Sequence, residues 1–357
     1  MPIALLHALA WLRRPLLLWA LCLAWACAAQ PALLAAEPAA TWTFIKGGNV
    51  SAWNRGDTAK VLRDVQRLGL DTVTIPVRLA MPSARSAEVG VEPASLAFAT
   101  HLAAQLGATK VIIEPYPWIA GGNVPETDLN PSNPSAWFAA YQRALVSLAK
   151  QFPNAWGFYI ASNLVHLEPR TADWLALVQA LRPVYAGKLL YRTQWWVTAA
   201  WEPSLQAAWQ KKLENAVFGA VDVIAIAAYF ELTDQAAPTA AEVKAALQST
   251  TLFARKQNVL AEILQLQKRW NKPIFLGELS CPAVDFGAQT PWDPASSTTP
   301  NPHVQKHLLA AYLESLPAAP SQFLGFSLFT IAHPTATTYD LSAEAVEYVR
   351  HYQPRPR

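Results

Sequence analysis

The stretch Lys272-Pro273-Ile274-Phe275-Leu276-Gly277-Glu278-Leu279 sets a carboxylate directly after an apolar run. A lone buried charge is costly, so such a group needs partners or water. At the end of a buried strand, Glu278 would project from the strand end into the mouth of a barrel, where a carboxylate is seldom an idle filler. As a scaffold residue, it would instead orient a nearby Arg or Trp. Other carboxylates compete for a role. Glu114 ends a third apolar run, Glu231 follows a sixth, and Glu168 lies one short loop beyond Asn163, with His166 nearby. Glu168-Pro169 equally suits a helix start, where an early carboxylate complements the dipole. Arg78 offers a guanidinium that holds a ligand hydroxyl, holds Glu278 ionised, or is simply solvated.

Fifteen Trp among 357 residues is a heavy aromatic load. Flat indole faces stack on sugar rings, and they also fill cores. Trp195-Trp196 follow Tyr191-Arg192-Thr193-Gln194, while Trp118 and Trp137 flank a long loop. Both readings apply to each of them. The seven His show no H-E-x-x-H spacing, so no metal or other cofactor is expected. The absence of G-x-S-x-G argues against an esterase. A formal charge of +3 with no dense Lys/Arg cluster argues against a nucleic-acid partner.

The elements that must position these residues alternate. Candidate strands are 43–47, 72–77, 110–114, 155–160, 188–191, 221–228, 273–277 and 323–329. Helical patterns include 58–68, 93–106, 134–151, 171–185, 240–270 and 303–316. Eight strands, each followed by a helical pattern, predict an α/β fold of the (β/α)8 or TIM-barrel type. Near-continuous apolar strands fit a sheet covered on both faces. A Rossmann-like sheet lacks its G-x-G-x-x-G. Long loops at 116–134 and 280–302 follow strand C-termini, the face where barrels build sites.

The N-terminal residues read differently. Arg13 and Arg14 precede the apolar run Leu16–Ala26 and the small residues Ala26-Cys27-Ala28. That is the order of a secretory signal, expected over 1–28, with Leu34-Ala35-Ala36 as a second cleavage site and an uncleaved anchor as the alternative. A short Ala/Pro tether over 29–41 would lead into one domain over 42–357, in the periplasm or outside the cell. Cys281 would then be the lone cysteine of the mature chain, so no disulfide is expected.

Several segments together resemble a known group. The strand containing Glu278 looks like the nucleophile strand of the clan GH-A retaining barrel glycosidases, and the order of pieces is most similar to the β-mannanase-like glycoside hydrolase family 113. Ile45-Lys46-Gly47-Gly48-Asn49-Val50 with Trp53 resembles its first strand, and Leu68–Val77 its second. Asp222–Phe230 resembles its sixth, Pro291-Trp292 its loop after the seventh, and Phe323–Phe329 its eighth. The resemblance implies that Glu278 is the nucleophile and that a second Glu ends the fourth strand. Here that strand reads Gly157-Phe158-Tyr159-Ile160-Ala161-Ser162-Asn163-Leu164, which places Asn163 at the acid/base position; a one-residue shift places Leu164 there. Neither side chain donates a proton as an acid.

Retaining hydrolysis needs two carboxyl groups about 5 Å apart. Three outcomes follow from the departure. Another acid such as Glu168, Glu114 or Glu231 substitutes; or the barrel binds glycan without cutting it, serving export or assembly of a surface polysaccharide; or it acts as a transglycosylase or on substrates with good leaving groups. The expected ligand is an oligo- or polysaccharide. The expected cleft residues are Glu278, Asn163, Glu168, Arg78, Glu114, Trp118, Trp195, Trp196, Tyr229 and Trp292.

Overall fold

The computed structural model describes residues 42–199, 201–251, 255–317 and 319–354. The expected signal segment and tether lie outside the described residues. Residues Trp42–Arg357 cluster as one compact unit.

Eight parallel strands close on themselves among the described residues. They are β1 (Ile45–Val50), β2 (Thr72–Met81), β3 (Lys110–Ile119), β4 (Gly157–Ser162), β5 (Lys188–Gln194), β6 (Val223–Ala227), β7 (Ile274–Leu279) and β8 (Phe323–Ile331). β1 pairs in parallel with both β2 and β8, which seals the barrel. The two-residue strand Gly90–Val91 adds antiparallel to the far end of β2. The fold is therefore the (β/α)8 barrel expected.

Helices pack outside. α1 (Thr58–Leu68) starts where Asp57 accepts a hydrogen bond from the Lys60 amide and stops at Gly69, whose φ of 62° suits glycine. α2 (Pro93–Gln105), α3 (Pro134–Gln151) and α4 (Thr171–Leu181) follow β2, β3 and β4. α5 (Pro203–Leu213) and the short α6 (Val217–Ala220) lie between β5 and β6. The pattern expected over 240–270 is two helices, α7 (Ala240–Ala246) and α8 (Val259–Trp270). Gln248-Ser249-Thr250-Thr251 interrupts it, because hydroxyl side chains compete for backbone groups. Asn258 then caps the second helix by accepting from Ala261 N. α9 (His303–Ser315) and α10 (Ala343–His351) complete the ring.

Two cores result. The larger lies between barrel and helices. The smaller fills the barrel interior with Ile45, Ile112, Tyr159, Leu190, Val223, Ala225, Phe275 and Leu324. It plugs the barrel below the strand C-termini and leaves only the upper end open for chemistry.

The β7 register decides where Glu278 points. Phe275 pairs with Ala225, but Glu278 pairs with Ala227, so β7 spends one residue more than β6 over this stretch. The same excess recurs against β8, where Leu276 pairs with Phe326 and Leu279 with Leu328. Strict alternation would put Glu278 on the side of Leu276, facing the helices. The bulge re-aims it inward.

Candidate active site

Glu278 is 6% exposed at the barrel mouth, and Arg192 of β5 faces it with Nη2 2.9 Å from Oε1. The same guanidinium ion-pairs with Glu114 of β3. It also donates from Nε to Ser162 Oγ at 2.9 Å and from Nη1 to the Gly277 carbonyl at 3.3 Å. Gly277 is needed for this approach: a Cβ there would lie 2.7 Å from Tyr159 Oη and 3.0 Å from Arg192 Cδ. Asn49 of β1 donates to the same carbonyl at 2.8 Å and accepts from Ser327 of β8 at 2.9 Å. Residues from six barrel strands thus fix one buried charge network.

Asn163 stands just past β4 with φ of 53°, a left-handed conformation that Asn tolerates better than most residues. Its Nδ2 donates to Glu278 Oε1 at 3.3 Å and to Glu126 Oε1 at 3.1 Å. With carboxylates on both sides, the amide must present nitrogen to them, and its Oδ1 is buried without a hydrogen-bond partner among the described residues. Leu164 packs into the core at 2% exposure. Asn163, not Leu164, is therefore the side chain that meets Glu278.

Burial dominates the electrostatics. It pushes Glu278 up to about 7; Arg192 opposes the shift, Glu126 and Glu114 add to it, and a hydrogen bond from Tyr229 lowers it. Glu114 is likewise raised by burial, against the pull of Arg192. Arg192 itself is desolvated, yet its carboxylate neighbours hold it above its ordinary value. Tyr229 is raised well above the usual phenol range by burial and then by Glu278.

The cleft at these groups measures about 270 Å³ and includes Asn49, Trp53, Glu114, Tyr116, Arg192 and Glu278. Aromatic rings flank it. Trp53 meets Trp118 edge-on at 4.7 Å. Across the mouth, Trp195 meets Tyr229 edge-on at 5.6 Å and lies parallel to Trp292 at 6.5 Å. Trp53 and Trp292 are both exposed, at 40% and 45%. A larger open groove of about 860 Å³ beside Trp118 is lined by Ala80, Val89, Ala136 and Arg143 and lies away from the Glu278 network.

The sequence reading gathered Glu278, Asn163, Glu114 and Tyr229, and these four do converge. Others have different partners. Arg78 donates to Glu92 at 3.0 Å and to the Ala52 and Asn54 carbonyls, with its guanidinium over Trp118, so it buttresses the cleft wall and does not pair with Glu278. Glu168 binds Lys212 and Thr193, each at 2.5 Å. Glu231 pairs with Arg255, and His166 is exposed. Trp196 stacks on Trp209 of α5 at 4.5 Å and donates to Glu262, facing outward from the barrel. Trp137 is buried against Tyr141 and Trp174.

Two residues were missed. Arg192 was visible as a charge inside an apolar strand, which demands a buried partner. Glu126 sits in a loop without periodicity and carries no comparable signal. Among the described residues, no three His, Cys, Asp or Glu side chains converge as metal ligands.

A closed parallel barrel that gathers carboxylates under aromatic walls at its strand C-termini defines a (β/α)8 protein of the glycoside hydrolase type, with the clan GH-A fold. The chain belongs to Glycoside Hydrolase Family 113, whose model matches residues 41–349. Solved structures agree on the fold. A GH113 β-mannanase from Alicyclobacillus acidocaldarius superposes with a TM-score of 0.65 at 17% identity, covering 87% of this chain and 97% of that one. A GH113 β-1,4-mannanase gives 0.64 at 18% identity, covering 86% and 97%. A family 5 mannosidase from Rhizomucor miehei gives 0.52 at 11% identity, covering 81% and 82%. No curated protein matches the chain in sequence.

Proposed function

We propose that the protein cleaves a β-linked polysaccharide in the barrel mouth by a retaining route, with Glu278 as nucleophile. The observation that carries this reading is the setting of Glu278. It is buried, aimed inward by a bulge, and held by Arg192, Asn163 and Tyr229. Donors arranged around a carboxylate fix its attacking geometry, and fixed geometry supplies a large part of an enzyme's rate. Trp53 with Trp118 and Trp195 with Trp292 offer stacking faces at two ends of the cleft, which suits an extended chain of sugar rings.

The structural neighbours titled β-mannanase make β-1,4-mannan the first substrate to test. The charged, apolar, small-residue order of residues 1–28 supports export, which would put the barrel where such polymers occur. The test is proton NMR of products from β-1,4-linked polysaccharides. A newly formed β-anomer, lost in Glu278→Gln, supports the reading; a first-formed α-anomer contradicts it.

One observation favours a second reading, a glycan-binding barrel that does not hydrolyse. Asn163-Leu164 follow directly on β4, so no carboxylate stands at that strand end. Oligosaccharide binding without any new reducing ends would select it.

A further inference from the structure

We propose that Glu126, in the loop after β3, supplies the acid/base carboxylate that the end of β4 lacks. The proposal rests on the reading of Glu278 as nucleophile and adds its partner.

The geometry comes from one amide. Nδ2 of Asn163 reaches Glu126 Oε1 at 3.1 Å and Glu278 Oε1 at 3.3 Å. The two carboxylate oxygens are therefore no farther apart than those two legs laid end to end. If both contacts lie along the N–H directions of a planar amide, which diverge by roughly 120°, the oxygens would stand about 5.5 Å apart. Retaining glycosidases hold their two carboxyl groups about 5–5.5 Å apart.

Glu126 is also held. Tyr116 Oη donates to its Oε2 at 3.0 Å, and each carboxylate oxygen keeps a second lone-pair site open. The loop carrying it is tied down. Val124 bridges back to Ile119, Leu129 is fully buried, and the Asn130 and Ser132 amides bond to the Ala84 and Arg85 carbonyls. The competing carboxylates are committed elsewhere: Glu114 to Arg192, Glu168 to Lys212, Glu231 to Arg255. Glu126, by contrast, is half-buried and makes no ion pair among the described residues.

The chemistry balances without a co-reactant. In the first half, a Glu278 oxygen bonds to the anomeric carbon and the bond to the glycosidic oxygen breaks. That oxygen takes the proton of Glu126 and leaves as an alcohol. In the second half, water attacks the anomeric carbon and gives its proton to the Glu126 carboxylate. The bond to Glu278 breaks, and both side chains regain their starting states.

The test uses Glu126→Gln, which is nearly isosteric and sits in a partly open loop; a thermal melt matching wild type establishes its folding. Three readouts are compared. Turnover of polysaccharide should fall about 10²–10⁴-fold, the usual contribution of a general acid–base group. An aryl glycoside with an activated leaving group should still transfer its sugar to Glu278, because that step needs no proton. Added azide should then raise the stalled turnover and yield a β-glycosyl azide, an effect that loss of a merely structural residue does not produce. Polysaccharide turnover within twofold of wild type, or a large loss that azide does not relieve, overturns the assignment of Glu126. Labelling of wild-type Glu278 by an activated fluoro-sugar is read separately. Its absence overturns the nucleophile reading, and this proposal with it, whereas labelling with an unaffected Glu126→Gln overturns this proposal alone.

Discussion

Arg192 Nη2 lies 2.9 Å from Glu278 Oε1, with both side chains almost wholly buried, and the same guanidinium neutralises Glu114. One cation thus serves two carboxylates brought in from β3 and β7. Removing one member of a buried ionic network leaves uncompensated charge and typically costs about 3–5 kcal/mol. Arg192→Met should lose stability of that order at pH 7.5. The loss should be smaller at pH 5, where Glu278, pushed up to about 7, is protonated. Urea denaturation at the two pH values checks this; an equal loss at both would break the link to charge.

Activity should depend on the ionisation of Glu278. The groups facing it are Arg192, Asn163, Tyr229, Glu126 and Glu114, and the net result pushes it up to about 7. A nucleophile must be ionised, so kcat/KM should fall as pH drops below about 7. An acid limb near the ordinary carboxylate value would mean that the network is not acting as described.

The same shift has the opposite sign for stability. A carboxyl group raised on folding binds its proton more tightly in the native state than in the unfolded chain. Its contribution is fully present below the unfolded value near 4.5 and is lost as pH rises through about 7. Wild-type Tm should therefore carry a decline between pH 5 and 7.5 that Glu278→Gln flattens. Differential scanning calorimetry of the two proteins across that range measures it.

Trp195 and Trp196 are sequence neighbours with different surroundings. Trp196→Ala empties a packed position between Trp209 and Phe230 and should cost about 3–5 kcal/mol. Trp195→Ala strips a stacking face from the cleft beside Tyr229 and Trp292. Loss of one aromatic contact of about 1 kcal/mol weakens binding roughly fivefold to tenfold. Calorimetric titration with an oligosaccharide, paired with urea melts, should show binding affected mainly by the first residue of the pair and stability mainly by the second.

Glu168 is tied to Lys212 and Thr193, and both partners are absent from the contacts of Glu278. Glu168→Gln should lower stability by about 1 kcal/mol, the scale of a partly exposed pair. Polysaccharide cleavage should persist, and a rate loss above tenfold would place Glu168 in the chemistry after all.

The barrel was legible because its signal is periodic. Apolar strand runs and capped helices recur through the chain, and Asp57 with Gly69 bounds α1 where their types demand it. Glu278 was legible for a related reason, a charge at the edge of an apolar run. What the run does not disclose is the extra β7 residue that turns Glu278 inward, since a bulge depends on the register of both neighbouring strands. Trp196 lies two residues past β5, where alternation counted from the inward Arg192 would turn it inward, so its outward packing on Trp209 is not encoded by strand periodicity. Arg78, just past a strand end, is open in sequence to holding a ligand hydroxyl, holding Glu278 ionised or simple solvation, and its acceptors prove to be Glu92 and two carbonyls of the β1 loop. Glu126 reaches Asn163 across 37 residues of loop and helix, a contact that no local pattern encodes.

The most direct test of the central claim is covalent trapping. Wild-type protein is incubated with 2-deoxy-2-fluoro β-glycosides bearing an activated leaving group, and its intact and peptide masses are then measured. One added sugar is expected, located on the peptide containing Glu278. An unmodified Glu278 across the panel, from protein that still binds the corresponding oligosaccharide, would contradict it.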